Sequence, residues 1–243
     1  MKKKINRFLT SKNYLKFISF YHQLLGEKFR KEIQVPEIFD YKIHRLNLIN
    51  KIISDYQLNS YLEIGCDQNE VFSNVIVENK VGVDPVNGGN IRLTSDDFFK
   101  RNSNSFDLIF IDGLHEYTQV KKDIFNSLKV LNPKGIILVH DCMPLTYLDQ
   151  AIPRGQRKWN GDVWKSIVEL RTRSDIFTCV GCFDQGIGMI LNRKNDQILE
   201  LSKENNLRFK DLSYENYYYN FNKYLNLVDY KNFFKLIKNY RIS

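Results

Sequence analysis

The sequence predicts an open, doubly wound α/β sheet, mostly parallel and seven-stranded, with helical extensions at both ends. Two observations carry this. Between residues 60 and 192, short apolar runs alternate with amphipathic stretches, the pattern of strands buried on both faces and joined by crossover helices. Before and after that region the apolar period becomes helical, so 1–57 and 195–243 read as helical segments around a central domain at 58–194.

In the first segment Leu15, Ile18, Tyr21, Leu24 and Leu25 recur at helical spacing. Ile43, Leu46, Ile49, Ile52 and Ile53 repeat the pattern beyond Pro36, which punctuates the two. Strands are expected at 61–64, 80–83, 106–111, 136–139, 176–180 and 187–191. Helices are expected at 70–77, 96–100, 118–131 and 163–171. In the last segment Tyr217, Phe221, Tyr224 and Leu225 read as a helical cap rather than a separate domain.

A chain of 243 residues, 43% hydrophobic and 26% charged, has the composition of a globular protein and excludes wholesale disorder and fibrous repeats. The longest apolar run, Gly135-Ile136-Ile137-Leu138-Val139, stops at His140-Asp141, far short of the roughly 20 residues of a membrane-spanning helix. Met1-Lys2-Lys3-Lys4 resembles the start of a signal peptide, but Lys12 and Lys16 break the apolar stretch that should follow, so a cytoplasmic chain is expected. The net charge of +8 divides as +7, −1 and +2 over the three segments, so the excess is an N-terminal property. A basic arm can meet nucleic acid, an anionic membrane or a phosphorylated substrate; a solvated helix surface is the simpler expectation. Cys66, Cys142, Cys179 and Cys182 make no disulfide framework in a chain of this length. Cys179-Val180-Gly181-Cys182 lacks the second ligand pair of a zinc site, which leaves buried thiols.

Ligands of such a sheet bind beyond the carboxyl ends of its strands. The segments there are Gly65-Cys66-Asp67, Asp84-Pro85, Ser95-Asp96-Asp97, Asp112-Gly113-Leu114-His115 and His140-Asp141-Cys142, each carrying an acid. Asp84 lies 19 residues after Gly65, the spacing of an acid that bonds ribose hydroxyls. The turn after Gly65 lacks the further glycines that admit a pyrophosphate, and its acids would repel one. A cofactor with a ribose and a positive centre but no phosphate fits better.

These segments, with Glu63-Ile64-Gly65-Cys66-Asp67, Val81-Gly82-Val83-Asp84-Pro85 and Leu131-Asn132-Pro133-Lys134-Gly135, resemble class I S-adenosylmethionine-dependent methyltransferases over about residues 60–192. The resemblance implies a Rossmann-like methyltransferase sheet, S-adenosylmethionine as cofactor and S-adenosylhomocysteine as product. It places Glu63 and Gly65 at the methionine end, Asp84 on the ribose and Ser95 and Asp96 near the adenine, with Cys66, Asp67, Asp112 and Gly113 as further cofactor-binding residues. The first loop departs from the family in lacking its second and third glycines. Asp112-Gly113-x-His115, His140-Asp141 and Trp159-Asn160-Gly161-Asp162 resemble a branch associated with sugar and polysaccharide O-methylation.

Methyl transfer to a hydroxyl needs in-line alignment and removal of a proton. His115 is the expected base, His140 the alternative, and Asp112 their partner. Asp112 and Asp141 can share Mg²⁺, but His140 and Cys142 beside them are poor ligands for it, so the sequence weighs against a metal requirement. The long loop carrying Arg154, Arg157, Lys158, Trp159 and Asn160 is expected to serve as lid and acceptor site, its arginines suiting a phosphate. A sugar or nucleotide sugar is the expected acceptor. Rival readings are another small metabolite, a non-catalytic cofactor-binding subunit and, against the absence of an Asn/Asp-Pro-Pro-aromatic motif, an RNA methyltransferase. Oligomeric state is left open, a homodimer included.

Overall fold

The computed structural model describes residues 11–201 and 208–242. Its centre is a seven-stranded sheet in the order β2-β1-β3-β4-β6-β5-β7. The strands are β1 (Ser60–Ile64), β2 (Asn79–Val83), β3 (Phe106–Ile111), β4 (Leu131–Val139), β5 (Phe177–Gly181), β6 (Ile187–Leu191) and β7 (Leu227–Val228). β6 runs antiparallel to β4 and β5, and the other neighbours pair in parallel.

The helices are α1 (Lys12–Leu24), α2 (Arg45–Tyr56), α3 (Ser95–Arg101), α4 (Tyr117–Lys129), α5 (Tyr147–Gln150), α6 (Trp164–Arg171), α7 (Tyr214–Leu225) and α8 (Tyr230–Ile242). Strand side chains alternate between two cores. Leu62, Ile64, Ile109, Ile111, Ile137 and Val139 face one with Phe98 of α3, Val120 and Ile124 of α4, Ile167 of α6 and Tyr217 of α7. Tyr61, Leu108, Phe110, Ile136 and Leu138 face the other with Leu48, Ile49 and Ile52 of α2 and Phe233 and Ile237 of α8. Both faces are covered, which is why the strands read as unbroken apolar runs.

Three expectations change. The helix expected at 70–77 is only a 3₁₀ turn, Phe72–Asn74. Val71, Val75, Ile76 and Val77 are β-branched, and Ser73 and Asn74 favour turns, so the stretch lacks the propensity to propagate. The seventh strand comes from the C-terminal segment, where Leu227–Val228 adds to β5. In α1, Leu15 and Ile18 are buried as expected, whereas Tyr21, Leu24 and the following Leu25 are exposed. Residues 1–10, including the Lys2-Lys3-Lys4 run, lie outside the described residues. Among the described residues, no helix is long and apolar enough to cross a membrane. Cys66, Cys142, Cys179 and Cys182 are buried free thiols.

Parallel register decides where the functional residues meet. Val83, Ile64, Ile111 and Val139 pair in one row across the sheet. The residues after them therefore emerge at one edge: Asp84, Gly65, Asp112 and His140.

Candidate functional site

That edge opens into a cavity of about 1200 Å³ whose lining includes Gly65, Asp84, Asp112 and His140. Gly65 turns β1 away from the sheet at φ +89°; a Cβ there would lie 2.3 Å from the Asp112 carbonyl oxygen and 2.5 Å from Gly113 Cα. Only glycine permits both the left-handed conformation and this approach of the two loops. Gly88 of the next loop supplies the closeness that the first loop's missing glycines do not. It stands at φ +61°, and a Cβ would meet the Asp67 carbonyl oxygen at 2.5 Å.

Asp84 ties the same two loops together. Its Oδ2 accepts from the backbone N–H of Cys66 at 3.2 Å and Asp67 at 3.1 Å, and its Oδ1 from Val86 at 2.7 Å and Asn87 at 2.8 Å. Four acceptor positions are about what a carboxylate has. Asp84 thus organises the loop in which a ribose contact was expected, rather than presenting a free acid to it. Glu63 is buried and accepts from the Tyr61 hydroxyl at 2.5 Å. Burial pushes its carboxyl up to about 7 against the opposing hydrogen bond. At the start of α3, Thr94 accepts from the Asp97 N–H and caps the helix. Ser95 and Asp96 there are held by Gln119 Nε2 of α4, at 3.2 and 3.1 Å.

The loops after β3 and β4 bring two imidazoles against three carboxylates. His115 Nε2 is 3.4 Å from Asp112 Oδ1, and its Nδ1 is 3.1 Å from Asp141 Oδ2. His140 Nδ1 is 3.2 Å from both Asp112 Oδ1 and Asp141 Oδ2, and its Nε2 is 3.4 Å from Asp184 Oδ1. Burial opposes charge on either ring, but Asp112 and Asp141 outweigh it. They raise His115 above its ordinary value and His140 well above. Burial likewise opposes ionisation of Asp112, yet His140 and His115 hold its carboxyl well below the usual range. Both rings have both nitrogens engaged, but His140 is only 3% exposed, whereas His115 is partly open to the cavity. His115, the expected base, is the more accessible of the two to an acceptor in the cavity.

Arg45 and Asp184 belong to this cluster and were not foreseen. Asp184 stands just before β6, whose antiparallel direction places its start at the edge where parallel strands end. Arg45 opens α2; its backbone N–H donates to Asp184 Oδ2 at 2.5 Å, its Nη1 lies 3.2 Å from Asp184 Oδ1, and its Nε is 3.7 Å from Asp112. The only sequence signal was an arginine heading a helix in the basic segment.

The 152–160 loop closes one side of the cavity. Trp159 stacks on His115 with ring centroids 5.5 Å apart and donates its indole N–H to the Ala151 carbonyl at 2.7 Å. Arg154 Cζ lies over the Trp159 ring, 5.6 Å from its centroid. Asn160 was expected to offer its amide to an acceptor; instead it is fully buried, and its Nδ2 donates to Asp141 Oδ1 at 3.0 Å. Arg154, Arg157, Lys158 and Trp159 remain on the cavity wall.

Asp112, His115 and Asp141 bring one imidazole nitrogen and two carboxylate oxygens within 4.8 Å of one another, a donor set a divalent cation accepts. His140 already places an imidazole 3.2 Å from both carboxylates.

Residues 64–142 match the model of a family described as a methyltransferase domain. The matched segment runs from the end of β1 through the residues after β4, and so contains Asp84, Asp112, His115, His140 and Asp141. No curated protein matches the chain. Among solved structures the chain is similar to a Staphylococcus aureus protein described as a caffeoyl-CoA O-methyltransferase, at 14% identity over 78% of this chain and 96% of that one, with a TM-score of 0.49. It is similar to the O-methyltransferase TomG of Streptomyces achromogenes, in complex with S-adenosylmethionine, at 14% identity over 76% and 99%, with a TM-score of 0.41. It is also similar to the mycinamycin methyltransferase MycE, in complex with Mg, S-adenosylhomocysteine and mycinamycin VI, at 14% identity over 66% of this chain and 54% of that one, with a TM-score of 0.44.

Proposed function

We propose that this chain transfers the methyl group of S-adenosylmethionine to a hydroxyl oxygen of a small polar acceptor, a sugar or nucleotide sugar of glycan or polysaccharide biosynthesis. The observation that carries this is His115, an imidazole at the cavity wall with one nitrogen 3.4 Å from Asp112 and the other 3.1 Å from Asp141. An alcohol is too weakly acidic to attack without losing its proton, and an imidazole between two carboxylates is built to take it. The acceptor hydroxyl displaces the Asp112 contact at His115 Nε2 and gives its proton to that nitrogen, while Asp141 holds Nδ1 and both carboxylates stabilise the imidazolium. His140, held from behind by Asp184 and Arg45, fixes the carboxylates in place; Asn160 fixes Asp141. S-adenosylmethionine supplies the electrophilic methyl group. Glu63, Gly65, Cys66, Asp67, Asp84, Ser95, Asp96 and Gly113 line its expected course, and the four acids among them suit a sulfonium cation.

The acceptor class rests on the part of the wall formed by the 152–160 loop. Arg154, Arg157 and Lys158 stand there with Trp159, basic and aromatic groups suited to a phosphorylated sugar. A divalent cation would be held by Asp112, Asp141 and His115 and would act as a Lewis acid on the acceptor oxygen. His115 cannot be ligand and base together, and His140 already supplies positive charge to both carboxylates. The residues therefore favour a metal-independent reaction. Incubation with labelled S-adenosylmethionine and a panel of nucleotide sugars, free sugars and non-sugar alcohols, followed by mass analysis, tests the reading. A product one methyl group heavier from a nucleotide sugar supports it. Turnover confined to amines or non-sugar alcohols overturns the acceptor assignment, and cofactor binding with no turnover on any class favours a binding subunit.

A further inference from the structure

The exposed face of α1 is the feature the catalytic reading leaves unused. Phe17, Phe20, Tyr21 and Leu24 follow one another at helical spacing and are 64%, 56%, 41% and 59% exposed, with Leu25 beyond them at 74%. Leu15, Ile18 and His22 occupy the inner face. The helix is thus apolar on both sides, one turned inward and one outward. A contiguous apolar stripe of this kind marks a docking surface.

The charge around the stripe selects what docks. From Lys12 to Lys31 the chain carries Lys12, Lys16, Lys28, Arg30 and Lys31 against one acid, Glu27. Glu27 is already taken by the backbone N–H groups of Tyr214 and Glu215 at 2.8 and 2.9 Å. Residues 1–10 add Lys2, Lys3, Lys4 and Arg7 in sequence and no acid. A two-fold contact between copies would set basic groups against basic groups at both ends of the stripe. An anionic bilayer surface complements both features at once, with aromatic and aliphatic side chains entering the interface and lysines meeting lipid phosphates.

We propose that α1 docks the protein on an anionic membrane surface. The site of docking borders the cavity. Tyr14 of α1 lines it, and His22 Nε2 lies 2.8 Å from the Pro153 carbonyl of the loop that carries Arg154 and Trp159. Docking would hold that mouth beside the bilayer, which is independent of whether the acceptor is a sugar.

The test is sedimentation of the full chain with vesicles of phosphatidylcholine alone and of phosphatidylcholine mixed equally with phosphatidylglycerol. Pelleting is expected with the mixed vesicles, weakened by added salt. The triple variant Phe17→Ser, Phe20→Ser, Leu24→Ser should lose binding by about tenfold or more, since each removes an inserting group. Lys12→Glu with Lys16→Glu should weaken it on the mixed vesicles without touching the apolar stripe. All three apolar side chains are exposed, so S-adenosylmethionine binding by calorimetry should match wild type and certify the fold. Absence of pelleting, equal pelleting on neutral vesicles, or undiminished pelleting of the triple variant overturns the proposal. A concentration-dependent dimer in sedimentation velocity, abolished by the triple variant, would assign the stripe to a second copy and also overturn it.

Discussion

His115 and His140 share two carboxylates but differ in access, and that difference decides their chemistry. Both rings have both nitrogens engaged, but the His140 side chain is 3% exposed against 20% for His115, so an acceptor meets His115 first. His115→Ala should lower turnover by about 10²–10⁴-fold, the usual contribution of a general base, with cofactor affinity nearly unchanged. His140→Ala should also impair turnover, but through loosened carboxylates, and it should lower thermal stability where His115→Ala does so less. Normal turnover by His115→Ala would take the base role away from it. The pH sign follows from the neighbours. Only neutral imidazole accepts a proton, and Asp112 and Asp141 raise His115 above its ordinary 6.5. The rate should therefore fall with acid along a limb centred above pH 6.5, and replacing Asp141 by Asn should move that limb down. Dialysis against EDTA should leave turnover intact. Loss of activity that Mg²⁺ restores would make Asp112 and Asp141 metal ligands.

At the scale of elements, the loops after β1 and β2 stand or fall together through Asp84. Removing it releases four backbone N–H groups, and hydrogen bonds to a charged acceptor contribute about 1.5–3 kcal/mol. Asp84→Ala should weaken S-adenosylmethionine about tenfold or more at 25 °C and also lower the melting temperature of the cofactor-free protein. A pure ribose contact would cost affinity alone; calorimetry beside thermal denaturation separates the two. Asp84 shows how far the sequence could be read. Its position at the end of β2 and its spacing from Gly65 were legible, because strand ends follow from apolar runs. The saturation of its carboxylate was not, because the acceptors' partners depend on how two loops close. Asp112, His115, His140 and Asp141 were legible for the same reason as Asp84. Arg45 and Asp184 were not: one lies before an antiparallel strand and the other at a helix start, and neither position follows from reading the carboxyl ends of parallel strands. Asn160 was found in the right loop but facing inward, since an amide buried on Asp141 has the same sequence as one facing an acceptor.

Over the whole molecule, the C-terminal segment behaves as part of the core rather than as an appendage to it. α7 sends Tyr214 and Tyr217 into one side of the sheet, α8 sends Phe233 and Ile237 into the other, and β7 between them extends β5. Phe233 is fully buried, 5.3 Å from the Phe183 ring in an edge-to-face contact, and Phe183 directly precedes Asp184 of the site. Truncating a buried phenylalanine to alanine costs about 3–5 kcal/mol, through lost transfer energy and the cavity left behind. Against a total stability of about 5–15 kcal/mol, Phe233→Ala should destabilise by a large fraction, measurable as a midpoint shift in urea with little change in slope. Removing residues 213–243 deletes all four of these core side chains and leaves the β5 edge open, so the remainder should fail to unfold cooperatively. If that truncated chain instead melts in one sharp transition and binds S-adenosylmethionine as wild type does, the segment is a cap on a self-sufficient domain. The geometry of Phe233, Phe183 and Asp184 predicts the opposite: the C-terminal helices hold the wall against which His140 and Arg45 are set.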